Sequence, residues 1–222
     1  MSPSDTSRAV LVWELPVRLF HWAIVALVAA AYLTWRLNWM GWHVWIGYAA
    51  LTAVLFRILW GFWGGECARF ARFAAGPRAA LAHLRHLARR EPDHQLGHNP
   101  AGAWMVWLLL AALLVETLSG LIINNDIADE GPLTELMPAA LSNGITAAHS
   151  IVWDALAAAV ALHIMAILLY ALLKRQNLLT PMISGYKQLP PEIAPPRAGG
   201  ALRALALLAA AGLCVLALVR FV

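Results

Sequence analysis

Residues 147–173 read AAHSIVWDALAAAVALHIMAILLYALL, an apolar run long enough to cross a bilayer, and this run contains two histidines. His149 and His163 are fourteen residues apart, which is close to four helical turns, so both side chains fall on nearly the same helix face. The rise between them is about 21 Å, most of a hydrocarbon core of about 30 Å. Histidine inside a lipid-spanning helix normally faces the bundle interior and marks function. Two stacked histidines therefore predict two stacked cofactors, and haem iron is a common partner of neutral imidazole in helical bundles.

The composition indicates an all-α integral membrane protein. The 222 residues are 61% hydrophobic and 13% charged, and the mean hydropathy is +0.67, outside the usual range of soluble proteins. The N-terminal arm lacks a small-residue cleavage site, so we expect the first apolar segment to stay as a span. Five segments are predicted to span the membrane: Leu19–Trp35, Trp42–Trp63, Ala101–Ile123, Ala147–Leu173 and Ala201–Phe221.

These spans predict a four-helix transmembrane bundle with one further helix. Residues 1–188 form the bundle, which would hold the two stacked cofactors. Residues 189–200, LPPEIAPPRAGG, form a stiff proline-rich linker, and residues 201–222 form an additional C-terminal transmembrane helix.

The distribution of lysine and arginine predicts the orientation. Most basic residues lie in the N-terminal arm, in the connector between the second and third spans and after the fourth span, whereas Arg36 and Arg220 lie at the opposite ends. The positive-inside rule then places the N-terminus in the cytoplasm and the C-terminus in the periplasm, in a multi-pass protein of the cytoplasmic (inner) membrane. The outer connector before the fourth span is acidic, with Asp126, Asp129, Glu130 and Glu135.

The basic connector between the second and third spans has two interpretations. Its charge could serve topology alone, or Pro77–Arg90 could form a basic amphipathic helix that binds anionic lipid. No nucleic-acid partner is expected, because the topological bias accounts for the net charge of +4.

Depth sorts four histidines into two pairs. His21 and His163 lie near the cytoplasmic side, whereas His43 and His149 lie near the outer side, and each pair joins different helices. Bis-histidine ligation fills both axial positions of haem iron, which favours electron transfer over substrate binding. A zinc site is the alternative, but no Cys, Asp or Glu lies at a suitable spacing. The other histidines are expected to be solvated surface residues: His83, His86, His94 and His98.

Three motifs resemble the prokaryotic cytochrome b561 family, which is related to the b-type cytochrome subunit of nickel–iron hydrogenases. They are VRLFHW (17–22), GHNPAGAWMVW (97–107) and LLKRQNLLTPMISGYK (172–187). The resemblance implies a four-helix bundle with two b haems, His21 and His163 holding the cytoplasmic haem and His43 and His149 the outer one. The fifth helix departs from the family pattern.

Several further residues are candidates for a supporting role. Arginines could offset haem propionates, Arg18 and Arg57 at the inner haem and Arg36 at the outer, although snorkelling to headgroups explains Arg18 and Arg36 equally well. Gly47 and Gly120 could leave room for a porphyrin or for close helix packing. Glu116 and Asp154 could relay protons or pair with polar neighbours.

Tryptophans and cysteines receive simpler interpretations. Most tryptophans are expected in interfacial belts, Trp13 and Trp60 among those on the inner side. Cys67 and Cys214 are predicted at different depths, so a disulfide between them is not expected. No CxxCH motif occurs, and c-type haem attachment is therefore not expected.

The sequence thus predicts a di-haem b cytochrome that carries electrons between the quinone pool and a periplasmic redox partner. The resemblance implies a c-type cytochrome or a hydrogenase-type protein as that partner, and a quinone site near Arg18, Arg57 and Pro181–Lys187. One alternative is a stand-alone membrane oxidoreductase that acts on superoxide or another small outer-face oxidant or reductant with quinone. Another is a haem-free membrane anchor whose histidines serve as polar contacts between helices.

Overall fold

The computed structural model describes residues 7–85, 95–124 and 131–220. The helices are α1 (Leu15–Arg36), α2 (Met40–Trp63), α3 (Phe70–Phe73), α4 (Pro77–Arg85), α5 (Pro100–Ser119), α6 (Ala139–Leu173), α7 (Leu179–Ser184) and α8 (Ala201–Arg220), and the strands are β1 (Arg8–Leu11) and β2 (Tyr186–Leu189). Because 73% of the structure is helical, the predicted all-α class is confirmed. Predictions for His86, Arg90, His94, Asp126, Asp129, Glu130 and Phe221 fall outside the described residues.

Five helices are long and apolar enough to cross a membrane, namely α1, α2, α5, α6 and α8. The protein is therefore a multi-pass membrane protein, as the sequence predicts. The first span is longer than predicted, because α1 begins at Leu15 and has 22 residues. Pro16 does not prevent this start, since the first turn of a helix does not need the N–H that proline lacks.

Helix α6 begins at Ala139, well before the predicted start at Ala147. The polar residues of this added stretch satisfy their hydroxyl groups inside the helix: Ser142 Oγ donates to the carbonyl of Ala139 (3.1 Å), and Thr146 Oγ1 donates to that of Ser142 (2.9 Å). A prediction from apolar residues alone stops too early here, because such local bonds lower the cost of polar side chains in a helix.

Helix α5 ends at Ser119, before the predicted Ile123. Beyond Ser119 the backbone bonds to a returning segment, since Gly131 N–H donates to Ile123 (2.8 Å) and Leu133 N–H donates to Leu121 (2.9 Å). These bonds replace the helical ones that residues 121–123 would otherwise need.

The structure divides into two compact units. The first unit contains residues 1–19, 59–107 and 161–204, and the second contains residues 20–58, 108–160 and 205–222. A hydrophobic core in the second unit draws buried residues from the four predicted bundle helices: Ile24 of α1, Ala50 and Val54 of α2, Leu113 of α5 and Leu156 of α6. The four-helix core of the second unit thus follows the apolar faces of these helices.

Helix α8 packs outside that core. In the second unit its Val215 joins Leu51 of α2 and Leu121 in a separate cluster. In the first unit, Arg203 donates a hydrogen bond from its guanidinium to the carbonyl of Trp63 (3.0 Å). The fifth helix therefore lies against α2 and adds no buried residue to the four-helix cluster of the described chain.

Glu14 ties three chain segments of the first unit together. Its carboxylate accepts hydrogen bonds from the indole N–H of Trp60 (2.9 Å) and from the backbone N–H groups of Gly65 (2.9 Å) and Gly199 (2.8 Å). Trp60 is 0% exposed and Trp13 is also buried, so these two tryptophans pack inside the protein. Burial of the indole beside a carboxylate satisfies its single donor.

The linker before α8 is fixed by a second acidic residue. The backbone N–H of Arg197 donates to Glu66 Oε2 (3.1 Å), and the Glu66 N–H donates to the Arg197 carbonyl (2.8 Å). The hydrogen bond from the Arg197 N–H to the Glu66 carboxylate, together with the charges of Arg72, Arg197 and Arg69, lowers the pKa of Glu66.

Residues of two of the motifs make defining backbone contacts in the first unit. Gly185 has φ of 92°, which favours glycine, and its carbonyl accepts from the N–H groups of Val12 and Trp13. Next to this turn, β1 pairs antiparallel with β2, a small sheet that the sequence did not predict. Asn99 caps α5 by accepting from Gly102 N–H (2.8 Å).

Two connector histidines are not solvated. His98 lies between the rings of Trp13 and Phe73, at centroid distances of 4.6 and 4.7 Å. His83 is half-buried, and its Nε2 lies 2.5 Å from the hydroxyl of Tyr170. The prediction of solvated surface residues is wrong for both, because tertiary contacts bring aromatic side chains from distant parts of the chain onto them.

Candidate functional site

His43 lies in the first turn of α2, and its ring orientation is set by α1. Nδ1 of His43 lies 2.9 Å from the backbone carbonyl of Ala31. A carbonyl oxygen only accepts hydrogen bonds, so this nitrogen must carry the proton. In the neutral ring, Nε2 of His43 then has a free lone pair, as a metal ligand requires.

His149 lies in α6 and contacts two side chains of α5. Its Nδ1 is 2.8 Å from Ser119 Oγ, and that hydroxyl also donates to the backbone carbonyl of Glu116 (2.9 Å). With its proton used in this way, Ser119 accepts from the Nδ1–H of His149. The remaining nitrogen, Nε2, lies 3.2 Å from Glu116 Oε1.

The two outer histidines both lie within the second unit. Their pairing by depth stays a prediction. In both rings Nδ1 is engaged with a fixed acceptor. Nε2 of His149 also contacts Glu116 Oε1, so iron bound at this nitrogen would replace that carboxylate contact.

The space beside these rings is consistent with the predicted porphyrin. A Cβ placed on Gly47, one turn after His43, would meet no heavy atom within 4 Å. A Cβ on Gly120 would lie 3.6 Å from His149 Cε1, an ordinary contact. Two neutral imidazoles from different helices, with open space beside Gly47, fit the bis-histidine ligation of a haem.

Glu116 pairs with a neighbouring polar group, one of the two roles predicted for it. Its side chain is 13% exposed and lies against His149, while its second oxygen, Oε2, is buried with no hydrogen-bond partner among the described residues. Asp154, the other acid within a span, is exposed. In the parts of the chain that the structure covers, no three His, Cys, Asp or Glu side chains come together as a metal-binding group.

The inner histidines lie where the sequence predicted them along their helices. His21 belongs to α1 and packs edge-on against Trp22 at a centroid distance of 4.9 Å. His163 belongs to α6, and both residues are half-buried. Their assignment to a second haem stays a prediction.

The three arginines predicted near haem propionates have different environments. Arg57 is 3% exposed, within α2. Arg36 is exposed, and its guanidinium lies over the ring of Trp35 at 5.7 Å. Arg18 donates to the carbonyl of Ile183 in α7 (2.5 Å), a contact that fixes the segment after α6.

Cys67 lies outside the spans, and its thiol is unreactive. Its thiol donates to the carbonyl of Leu96 (3.3 Å), and burial raises the pKa of Cys67 to about 11. The thiol is therefore protonated at neutral pH, the inert form of cysteine. Cys67 and Cys214 are both free cysteines.

Sequence reasoning missed the acceptors that orient the outer histidines. Ser119 is thirty positions from His149, and the acceptor for His43 is the backbone carbonyl of Ala31. No local pattern reports such pairs, since a serine near a helix end usually bonds only to its own helix.

Comparison with known proteins identifies the family of this chain. A family model described as prokaryotic cytochrome b561 matches residues 12–185, a range that contains all four of the predicted haem-ligating histidines. A search of curated proteins finds no match. The chain therefore belongs to the prokaryotic cytochrome b561 family, and it is a transmembrane b-type cytochrome of electron transfer.

Proposed function

We propose that the protein carries electrons across the cytoplasmic membrane between the quinone pool and a redox partner in the periplasm. His43 and His149 would hold one b haem near the outer face, and His21 and His163 would hold a second near the cytoplasmic face. When bound, b haem supplies reversible one-electron transfer.

The observation that supports this proposal is that Nδ1 of both outer histidines is engaged. Ala31 and Ser119 hold Nδ1 of His43 and His149, which makes Nε2 the nitrogen proposed to bind iron. At His149, iron would replace the contact between Nε2 and Glu116. Second contacts of this kind fix the tautomer and orientation of a metal-ligating histidine, and they raise its basicity.

The inner pair is proposed from depth and family membership. The quinone site is proposed beside Arg18 and the segment Pro181–Lys187, which includes the motif GYK. In the first unit, Arg18 donates to Ile183 and thus lies against that segment. Arg57, a buried cation within α2, is proposed to offset propionate charge at the inner haem. Arg36 is proposed for the outer haem.

The partner is proposed to be a periplasmic c-type cytochrome or a hydrogenase-type protein. The outer connector is acidic in sequence and includes Glu135. Opposite charges on two docking surfaces speed their encounter and orient it, so a basic cytochrome is the better match. This proposal places the N-terminus in the cytoplasm and the C-terminus in the periplasm.

The purified protein should contain two b haems in each chain. Protein expressed with ample haem should show a sharp α band in its reduced-minus-oxidised spectrum, and a pyridine extract should give two haems per polypeptide. The extract should leave no haem bound to the polypeptide, since no CxxCH motif is present. A colourless protein would contradict the proposal and favour a haem-free membrane anchor.

Ser119→Ala should raise the midpoint potential of the outer haem. The hydroxyl accepts the Nδ1–H of His149 and makes the ring a stronger donor, which favours ferric iron. Loss of one such bond should shift the potential upward by roughly 20 to 60 mV. A spectroelectrochemical titration measures this shift, and Ser119→Thr, which keeps a hydroxyl, serves as the matched control. An unchanged potential in both variants would show that Ser119 does not tune His149.

A further inference from the structure

Helix α4 exposes an apolar face with arginines along one edge. Leu81 and Leu84, three positions apart and therefore on one face, are 51% and 52% exposed. Arg78 and Arg85 are two turns apart on the neighbouring face, and both are exposed. The described part of the chain contains no acidic side chain in an ion pair with either arginine.

Another side of α4 holds the helix against the protein. Ala80 and His83 are half-buried, and His83 Nε2 lies 2.5 Å from the hydroxyl of Tyr170 in α6. Asn99, the cap of α5, donates to the same hydroxyl (2.8 Å). By helix pitch, Leu81 lies nearly opposite His83, whereas Leu84 borders Ala80; both leucines are still about half exposed.

Its attachment points place α4 at the level of the membrane interface. Just before α4, the Ala75 carbonyl accepts a hydrogen bond from the indole of Trp104 (3.0 Å), which lies one turn inside the spanning helix α5. Tyr170 lies in the last turn of the spanning helix α6. Ends of spanning helices that carry Trp and Tyr lie at the headgroup level, so α4 is held there too.

We propose that α4 is an interfacial helix that binds anionic phospholipid. Leu81 and Leu84 would enter the boundary between headgroups and acyl chains, while Arg78 and Arg85 would pair with lipid phosphates. Guanidinium forms bidentate hydrogen bonds with phosphate, which suits arginine at these positions. This extends the lipid-binding interpretation of the basic connector to named residues, and it is independent of the proposed route of electrons.

The test compares hydrogen–deuterium exchange of residues 77–85 in nanodiscs. The haem-loaded, full-length protein is placed in discs of phosphatidylcholine alone or in discs that also contain phosphatidylglycerol. Exchange should be slower in the anionic discs, and the double variant R78Q/R85Q should lose this protection by about fivefold for each arginine removed. The variant R78K/R85K, which keeps both charges, should retain most of it.

A second pair of variants tests the apolar face. Leu81→Ser with Leu84→Ser should raise exchange in both kinds of disc, whereas Ala79→Ser with Ala82→Ser, away from the leucine face, should leave it unchanged. Equal exchange of the native protein in both kinds of disc would overturn the proposal. Protection that appears only in discs containing two copies of the protein would also overturn it, because the leucine face would then contact a second copy and not lipid. The haem spectrum of every variant should remain native, which separates this result from any failure of the electron-transfer proposal.

Discussion

Replacing His149 with alanine should remove one haem and leave the other in place. His149 is one of two proposed axial ligands at the outer site, and alanine offers iron no lone pair. The pyridine extract should therefore fall from two haems per chain to one. The retained haem reports that the membrane bundle is still folded, so loss of the outer haem cannot be attributed to general unfolding.

The control for this experiment is a histidine outside the proposed sites. His94→Ala, in the basic connector, should keep both haems. Two haems in the His149→Ala protein would refute the assignment of His149. Loss of both haems with the helical circular dichroism preserved would refute the idea of two independent sites.

Replacing His163 with alanine should give a protein in which quinol no longer reduces the remaining haem. His163 is the proposed inner ligand, and quinol is proposed to donate electrons on that side. Dithionite should still reduce the outer haem fully, because it needs no quinone site. The rate of quinol-dependent reduction should fall to near zero, measured by stopped-flow at the α band.

Quinol should act differently on the His149→Ala and His163→Ala proteins. In the His149→Ala protein, quinol should still reduce the single remaining haem at a rate close to that of the native protein. If quinol instead reduces the His163→Ala protein and fails with the His149→Ala protein, quinone reacts near the outer haem. That outcome would leave the haem ligands intact as a proposal and overturn the placement of quinone beside Arg18 and Pro181–Lys187.

Sequence alone was sufficient for the spans, the class of fold and the family. Membrane spans are set by the length and composition of one continuous segment, so α2 and α8 lie close to their predicted bounds. Helical rise also depends only on neighbouring residues, so the sequence alone was enough to predict a pairing of His43 with His149 by depth. The division into residues 1–188, 189–200 and 201–222 stays a prediction.

Helix ends were predicted less well, because they depend on bonds that composition does not show. Helix α6 starts early since Ser142 and Thr146 satisfy their hydroxyls within it. Helix α5 stops early since residues 121–123 bond to residues 131–133. In both cases hydrogen bonding, and not hydrophobicity, decides where the helix ends.

By itself, the sequence determined where histidines sit along the spanning helices, because helical rise and hydrophobicity act over a few neighbouring residues. Tertiary structure decided which groups engage Nδ1 of His43 and His149, since Ala31 and Ser119 reach those rings from other helices. It also decided that His83 and His98 are partly enclosed and not solvated. A hydrogen bond between residues far apart in the chain exists only after the helices have packed, so no local pattern can encode it.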